Sequence, residues 1–356
     1  MMTRSTSVFI DLAAIGDNIT ALKRSLEESR FMAVVKADAY GHGAVSVARH
    51  IEKMVDAYAV AFTEEAVELR TAGISKPILI LEGPHSEDDV AIAAKQDLWP
   101  AVHDLRQIEW CRAHQRPLSH IWIKIDTGMH RLGFAPEQLH SVQQSLEGAG
   151  CRRLTLMSHL ASAEFPDSPI TTQQLNLWRQ IVSDWPSDVS LCNSAASRLG
   201  LATKNDWARV GYAMYGGLVK DLSSNSELKP AMRFETAVLA VRRIAAGEAV
   251  GYGGHWMARR DSLIATLPAG YGDGYPWAAQ NGTPIEINGS LAPLVGRVSM
   301  DMLTVDVTDC DDVEIGTRAI LWGHNPGVDE VAAASGTIGY ELMTRMTGRA
   351  KRCYEK

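Results

Sequence analysis

The chain has 356 residues, 46% of them apolar and 22% charged, a composition that excludes a disordered or fibrous protein. Its 42 acidic and 35 basic residues give a net charge of −7, which argues against a nucleic-acid partner. The apolar runs are far shorter than the roughly 18 residues that span a membrane. The five cysteines form no CxxC pair, and the histidines show no HxH or HExxH spacing. We therefore expect a cytoplasmic globular protein with reduced thiols, no membrane partner and no metal site.

The N-terminal two-thirds of the chain alternates between strand-like and helix-like segments. An amphipathic helix comes first, with apolar side chains at steps of three and four at Leu12, Ile15, Ile19, Leu22 and Leu26. Eight short apolar runs follow, at residues 31–36, 57–62, 77–83, 98–103, 120–126, 154–160, 188–194 and 207–212. Parallel strands covered on both faces have this continuous apolar character. The pattern predicts an α/β fold with an N-terminal (β/α)8 TIM-type barrel over residues 1–230.

The sequence changes character near Lys229–Pro230. Residues 231–356 contain short β-rich runs separated by Gly, Asn-Gly and Pro turns. Helical patterns occur there at residues 328–336 and 338–348. We therefore expect a C-terminal, mostly β domain.

A lysine, Lys36, ends the first apolar run, in VVKADAYGHG (34–43). Barrel enzymes place their catalytic residues at the C-terminal ends of the strands. A buried lysine has a lowered pKa, and its neutral amine can attack a carbonyl to form a Schiff base. The alternative is a lysine whose ammonium group extends from the barrel mouth into water, and position alone favours that alternative.

Polar residues also follow the later runs: Lys124, Asp126, Arg131, His159, Asn193, Ser194, Arg209, Gly211 and Tyr212. Taken singly, such a histidine is typical of a protein core, and Ser or Asn after a strand is typical of a helix cap. Ser194 and the amides near Gly211 would suit a phosphate group. A lysine, a phosphate site and an arginine able to face a pyridine nitrogen together indicate pyridoxal 5'-phosphate (PLP).

These residues lie in motifs that resemble those of the alanine racemase family of barrel-type (fold type III) PLP enzymes, and the resemblance extends over nearly the whole chain. VVKADAYGHG resembles the family's cofactor-lysine signature, which is highly specific. Further blocks follow in the family's order: KIDTGMHRLGF, MSHLASAE, CNSAAS, RVGYAMYG, VGYGG, AGYGDGYP, GRVSMDM and TIGYEL. The ordered set carries the resemblance, since the glycines of VGYGG and AGYGDGYP taken alone are equally typical of hairpin turns.

The resemblance implies how the cofactor is held. The implied cofactor-binding residues are Lys36, Tyr40, His159, Asn193, Ser194, Arg209, Gly211, Tyr212 and Tyr340. Lys36 would carry PLP as an internal aldimine and act as one of two catalytic bases. The phosphate would be bound by Tyr40, Ser194, Gly211, Tyr212 and Tyr340. Arg209 would face the pyridine nitrogen, and His159 would lie behind the ring and link to Arg209.

The resemblance also implies the substrate site. Arg131 would bind the substrate carboxylate, and Lys124, often carbamylated in this family, would steady that arginine. Met300 and Asp301 would complete the pocket for L- and D-alanine.

The remaining implied roles belong to tyrosines of the C-terminal domain. Tyr252 would be the second catalytic base, and Tyr271 would narrow the entrance together with Tyr340. In the family, the residues matching Tyr252 and Met300 come from the partner subunit of a head-to-tail homodimer with shared active sites.

The physical chemistry of racemisation agrees with these roles. Inverting an α-carbon requires that a proton is removed from one face and another is delivered to the opposite face. Two bases on opposite sides of the cofactor plane do this directly. A phenol with a pKa near 10 is only about 0.1% ionised at neutral pH, a handicap of about 4 kcal/mol for a base. A chain from Tyr252 through His159 to Arg209 would stabilise the phenolate.

Three alternative functions use similar scaffolds. A racemase of broader specificity is disfavoured by the KIDTGMHR block, and a non-catalytic PLP carrier by the presence of the β domain. The motif and catalytic cysteine of fold type III decarboxylases are missing. Two residues, Ser299 and His130, differ from the residues that are commonest at these positions in racemases, and the sequence alone assigns no effect to these differences. The motifs leave open whether the enzyme makes D-alanine as a peptidoglycan precursor or degrades it.

Overall fold

The computed structural model describes residues 4–26, 29–198, 206–217 and 228–355. These residues form two compact units. The barrel unit contains the described residues of 16–214, and the β unit contains residues 4–15, 215–217 and 229–355. No helix in the described ranges is long and apolar enough to cross a membrane.

The barrel unit is built on eight parallel strands. The first strand of the chain, β1 (Ser7–Asp11), belongs to the β unit. The barrel strands are β2 (Arg30–Val34), β3 (Ala57–Val60), β4 (Ile78–Ile80), β5 (Trp99–Val102), β6 (Ile121–Lys124), β7 (Leu154–Met157), β8 (Val189–Ser190) and β9 (Trp207–Val210). Neighbours in sequence are neighbours in the sheet, and β9 pairs with β2. The Arg209 amide donates to the Cys192 carbonyl at 2.9 Å and so joins β9 to the end of β8. This ring confirms the predicted barrel, because each of the eight predicted runs overlaps one strand.

Helices connect these strands. They are α1 (Leu12–Ser25), α2 (Lys36–Tyr40), α3 (Ala44–Ile51), α4 (Thr63–Thr71), α5 (Glu87–Gln96), α6 (Leu105–Ala113), α7 (Leu139–Gly148), α8 (Pro169–Val182) and α9 (Ser194–Arg198). In α1 the predicted apolar stripe is buried, with Ile19 fully inaccessible and Leu22 nearly so. The segment labelled α2 is a single turn with left-handed backbone, described below.

Alternation along β6 determines which side chains enter the barrel. The Trp122 ring contacts the Trp207 ring of β9 at a centroid distance of 5.9 Å, although β6 and β9 are not adjacent in the sheet. Trp122 therefore points into the barrel. Residues two apart on a strand face the same side, so His120 and Lys124 also point inward. His120 packs on Trp99 near the N-terminal ends of the strands, and Lys124 lies at the C-terminal ends.

The β unit contains three sheets. Its strands besides β1 are β10 (Met232–Ala237), β11 (Ala240–Ile244), β12 (Ala249–Val250), β13 (Trp256–Met257), β14 (Ser262–Leu267), β15 (Pro284–Ile287), β16 (Ser290–Pro293), β17 (Leu303–Asp306), β18 (Arg318–Trp322) and β19 (Lys351–Glu355). The sheets have the orders β16-β15-β18-β10-β1-β19, β11-β14-β17 and β12-β13. The two helices expected there are α10 (Val328–Ala334) and α11 (Gly339–Thr344), the second ending four residues earlier than predicted.

The N-terminus differs from the expected division at residue 230. Strand β1 pairs antiparallel with β10 and parallel with β19, so residues 4–15 belong to the β unit. Val8 and Ile10 are fully buried while Phe9 is partly exposed, an alternation too short to be identified as a strand from sequence. Its partners lie more than 200 positions further along the chain, beyond the reach of a local pattern.

Candidate active site

Lys36 lies at the C-terminal end of β2, followed by an unusual turn. Residues Ala37, Asp38, Ala39 and Tyr40 have φ angles of 51–53°, in the left-handed region. For residues other than glycine, this conformation costs roughly 1–2 kcal/mol each. The turn is closed by the Ala39 amide donating to the Val35 carbonyl at 2.9 Å and the Gly41 amide donating to the Ala37 carbonyl at 3.0 Å. Such strain persists only where the surrounding structure enforces it, and it is typical of functional sites.

Three predicted phosphate-binding residues meet at one place in the barrel unit. The Ser194 hydroxyl oxygen accepts hydrogen bonds from the Gly211 amide at 3.1 Å and the Ala213 amide at 3.3 Å. A Cβ on Gly211 would lie 2.6 Å from the Tyr40 hydroxyl oxygen, so only glycine permits this approach. Burial raises the pKa of Tyr40 to about 12, so its hydroxyl keeps its proton at neutral pH. Because the Ser194 oxygen accepts from two amides, its O–H is left to donate, and the Ser194 and Tyr40 hydroxyl donors fit a phosphate group.

Arg209 is buried inside the barrel and held by oxygen atoms. One guanidinium nitrogen donates to the Ser190 carbonyl at 3.0 Å and to the Ser190 hydroxyl at 2.5 Å. The other donates to the Ser158 carbonyl at 2.6 Å. Burial lowers the pKa of Arg209 to about 10, which leaves it charged at neutral pH. Within the described residues no carboxylate is hydrogen-bonded to it, so its orientation depends on the two serines, which the sequence analysis missed.

His159 is neutral, and its tautomer follows from its contacts. Burial, together with Arg209, Arg131, Lys124 and Lys36, lowers the pKa of His159 to about 3, although the side chain is partly exposed at the mouth. Arginine only donates, so the contact of 3.4 Å between its Nη2 and His159 Nδ1 makes Nδ1 the acceptor. The ring proton is therefore on Nε2. The predicted link between His159 and Arg209 is present in the structure.

The two cations of the KIDTGMHRLGF block differ in their surroundings. Lys124 is 6% exposed, and burial lowers its pKa to about 8, with Glu82 opposing this and Arg209, Arg131 and Lys36 adding to it. Arg131 is exposed, and its guanidinium has no hydrogen-bond or ion-pair partner in the described part of the chain. An unpaired exposed arginine beside a buried lysine is suited to bind an anion from solution.

The loop that carries Arg131 is folded by its own residues. One oxygen of Asp126 accepts hydrogen bonds from the Gly128, Met129 and His130 amides at 2.9–3.1 Å. The Phe134 amide donates to the Lys124 carbonyl at 2.9 Å and returns the loop to the strand end. His130 has φ 55° and its Nδ1 lies 2.9 Å from the other Asp126 oxygen. Glycine and asparagine adopt a positive φ readily, whereas histidine is accommodated here by its contact with Asp126.

Asn193 has a structural role in the barrel unit. Its side-chain oxygen accepts a hydrogen bond from the Ala196 amide at 3.0 Å, as an N-cap of α9 does. Its side-chain nitrogen donates to the Leu160 carbonyl at 3.4 Å. This is the helix-cap role that is typical of Asn after a strand.

Tyr212 is nearly inaccessible, in the turn that follows Gly211.

The remaining predicted residues lie in the β unit. Tyr252 is 74% exposed in the turn that connects β12 and β13, and Tyr340 is partly exposed in α11. The Tyr271 amide donates to the Ser299 carbonyl at 3.1 Å, and the Gly272 amide to the Met300 carbonyl at 2.9 Å. The β unit thus brings AGYGDGYP and GRVSMDM together.

Two arginines support these loops and were not identified from sequence. Arg349 donates to Asp301 at 2.6 Å and lies 3.5 Å from Asp273. Arg4 donates to the same Asp273 oxygen at 2.6 Å. Asp273 is fully buried, so two cations compensate its charge and hold the Tyr271 turn.

A (β/α)8 barrel with a strand-end lysine and an exposed arginine, continued by a β unit, is the architecture of a two-domain barrel enzyme. Residues 10–219 match the family model described as "Alanine racemase, N-terminal domain", and residues 231–354 match "Alanine racemase, C-terminal domain". The chain is 42% identical to an alanine racemase of Alteromonas mediterranea over 355 residues, 99% of each chain. It therefore belongs to the alanine racemase family of isomerases, which in general depend on PLP.

Solved structures support this family membership. The crystal structure of biosynthetic alanine racemase from Pseudomonas aeruginosa is 40% identical with a TM-score of 0.95, over 99% of this chain and 100% of that chain. Alanine racemase from Bartonella henselae, solved with covalently bound pyridoxal phosphate, is 30% identical with a TM-score of 0.90, over 99% of each chain.

Proposed function

We propose that this protein interconverts L-alanine and D-alanine with PLP bound at the mouth of its barrel. The observation that carries the proposal is the convergence of Tyr40, Ser194 and Gly211 in a barrel that also presents Lys36 at a strand end. Four cations of the same barrel lower the pKa of His159. A phosphate and a carboxylate would balance this charge.

Residues of the barrel would hold the cofactor. Tyr40, Ser194, Gly211 and Tyr212 would bind its phosphate, Lys36 would attach to its aldehyde carbon, and Arg209 would donate to its pyridine nitrogen. The resemblance also assigns Tyr340 to the phosphate. PLP supplies an electron-withdrawing system that acidifies the α-hydrogen of a bound amino acid.

Arg131 would bind the carboxylate of alanine, with Lys124 adjusting its position. A pKa of about 8 leaves part of the Lys124 amine neutral at physiological pH, and a neutral amine can react with carbon dioxide to form a carbamate. An ammonium group at Lys124 repels the Arg131 guanidinium, whereas a carbamate attracts and orients it. We therefore propose that Lys124 is carbamylated.

Two bases would exchange the α-hydrogen from opposite faces. The Lys36 amine would act on one face and the phenolate of Tyr252 of the partner subunit on the other. His159 carries its proton on Nε2, so it can donate a hydrogen bond to that phenolate. The high exposure of Tyr252 and of Met300, which is 52% exposed, supports their use by a second subunit in a homodimer. The five free cysteines suit a cytoplasmic location.

The proposed reaction is tested by following the optical inversion of a panel of L-amino acids with the purified protein and PLP. We expect alanine to be inverted much faster than the others. Comparable rates for several amino acids would indicate a broader-specificity racemase, and PLP binding without inversion would indicate a carrier.

The shared site is tested by mixing two inactive variants. Lys36→Ala and Tyr252→Phe subunits, exchanged into mixed dimers, should restore activity, because one of the two sites then receives an intact Lys36 and an intact Tyr252. Fully exchanged mixtures that stay inactive would show that each site is built within one chain.

A further inference from the structure

The carboxylate of Glu65, in the first turn of α4, connects two loops at the C-terminal ends of the barrel strands. Its Oε1 accepts a hydrogen bond of 2.6 Å from the Ala37 amide, which directly follows Lys36. Its Oε2 accepts hydrogen bonds from the Ala61 amide at 2.7 Å and the Phe62 amide at 3.2 Å. One side chain thus joins the cofactor lysine's own turn to the end of β3.

The left-handed turn needs such support at its start. Its far side is fixed by Asp38, whose carbonyl accepts from the Gly43 amide at 2.8 Å and whose carboxylate accepts from the Ala44 amide at 2.8 Å. The near side, at Ala37, is fixed by Glu65. Lys36 precedes this turn and Tyr40 ends it, so the turn determines where the amine and the phenol lie.

We propose that Glu65 is a positioning residue for Lys36 and Tyr40, because its carboxylate holds the left-handed turn that connects them. The proposal rests on the proposed PLP site. Both carboxylate oxygens accept from amides, so glutamine cannot replace glutamate: its NH2 group would face an N–H donor at one end or the other. The competing role is that of a helix cap alone, since Glu65 bonds the Phe62 amide at the start of α4.

The test compares Glu65→Gln with Glu64→Gln as a matched control. Glu64 is exposed in the same turn of α4, so the two variants lose the same charge near the same helix end. Two quantities are measured for each variant: the PLP dissociation constant of the apoenzyme, by absorbance, and the amide hydrogen exchange of residues 37–43, by mass spectrometry. We expect Glu65→Gln to raise the dissociation constant about tenfold and to accelerate that exchange, and Glu64→Gln to change neither.

A helix cap alone would accelerate exchange in residues 61–66 and leave residues 37–43 and PLP binding unchanged, and that result would overturn the proposal. Adding Ala37→Gly to Glu65→Gln should restore part of the PLP affinity, because glycine adopts positive φ without steric cost. If Glu65→Gln does not fold, Glu65→Asp and Glu64→Asp provide the same comparison with the charge retained. If the wild type itself binds no PLP, the proposed function fails, while exchange at residues 37–43 still decides whether Glu65 holds the turn.

Discussion

The predicted site has two halves, one at the barrel mouth and one in the loops of the β unit, and they differ in how deeply their side chains are buried. In the barrel, Arg209 is 4% exposed and fixed by Ser158 and Ser190. In the β unit, Tyr252 is 74% exposed at the tip of a two-stranded hairpin. Burial thus preorganises the barrel half of the predicted site, whereas Tyr252 of the β half stays accessible, as the proposed shared site requires.

The largest effect is expected at Lys36, the centre of the barrel half. Lys36→Ala should reduce racemisation by about 10³-fold or more, because it removes both the proposed attachment point and one of the proposed bases. Borohydride reduction of the wild type should fix PLP on the peptide containing Lys36, and Lys124→Ala should leave that label in place. Recovery of the label on another lysine would refute the assignment.

Tyr252→Phe tests the β half of the comparison. Racemisation should fall by about 10³-fold, within the range for loss of a general base. The variant should still exchange the α-hydrogen of D-alanine in heavy water through Lys36, while exchange into L-alanine is nearly lost. Proton NMR of each enantiomer separately measures this. Equal exchange of both enantiomers would show that Tyr252 is not the second base.

Gly211→Ala tests how tightly the barrel half is built. The added Cβ would lie 2.6 Å from the Tyr40 hydroxyl oxygen and displace it from the proposed phosphate site. Adding a methyl group to a packed site costs about 1–3 kcal/mol, and a loss of this size in binding free energy would raise the PLP dissociation constant about 10- to 100-fold. Gly148→Ala is the matched control, because nothing lies within 4 Å of its Cβ. Equal affinities in both variants would place the phosphate elsewhere.

Burial inside the barrel also predicts a pH dependence of stability. Burial lowers the pKa of His120 to about 3, with Arg153 and Arg30 adding to the effect and Asp188 opposing it. The unfolded chain, with a histidine pKa of about 6.5, therefore binds more protons between pH 6.5 and 3, and the free energy of unfolding falls as the pH drops. Between pH 6.5 and 5 the loss is about 2 kcal/mol.

His120→Phe should remove that contribution. Urea unfolding gives the free energy of unfolding of wild type and variant at pH 6.5 and at pH 5. The contribution of His120 is the change between the two pH values in the wild type minus the same change in the variant. An unchanged pH dependence in the variant would mean that His120 is protonated at a higher pH than its burial implies.

The smallest expected effect is at Lys124, whose proposed role is to orient Arg131. Lys124→Ala should raise the KM for alanine about tenfold, because Arg131 loses its orienting neighbour, worth about 1.4 kcal/mol. Short carboxylic acids added to the assay should restore part of the affinity. An unmodified mass of the wild type together with unchanged kinetics in the variant would contradict the role of a carbamate.

Local patterns predicted the barrel strands but missed β1. The barrel runs are continuously apolar because both faces of a parallel sheet are covered, and that signal is contained within each run. Strand β1 alternates over only five residues and pairs with Glu235 and Lys351 from its first residue, Ser7. Its existence depends on partners at the other end of the chain.

The same distinction applies to the site. Lys36, Ser194 and Gly211 stand in motifs at strand ends and were identifiable there. Glu65 and Ser190 were not, because a glutamate in the first turn of a helix and a serine in a strand are ordinary surface or core residues until their contacts are known.

The sequence by itself determined that His120, Trp122 and Lys124 lie on one face of β6, since side-chain direction in a strand follows from a period of two. The contact between Trp122 and Trp207 decides that this face points into the barrel. Only the tertiary structure decided the conformation after Lys36. Ala37 and Ala39 have no local preference for positive φ, and they adopt it because Glu65 and Asp38 bind the backbone around them. Likewise, the lowered pKa values of Lys124 and His159 arise from burial and from cations elsewhere in the barrel unit. The backbone conformation and the pKa values both depend on which residues are close in the folded structure, and the order of residues along the chain does not show this.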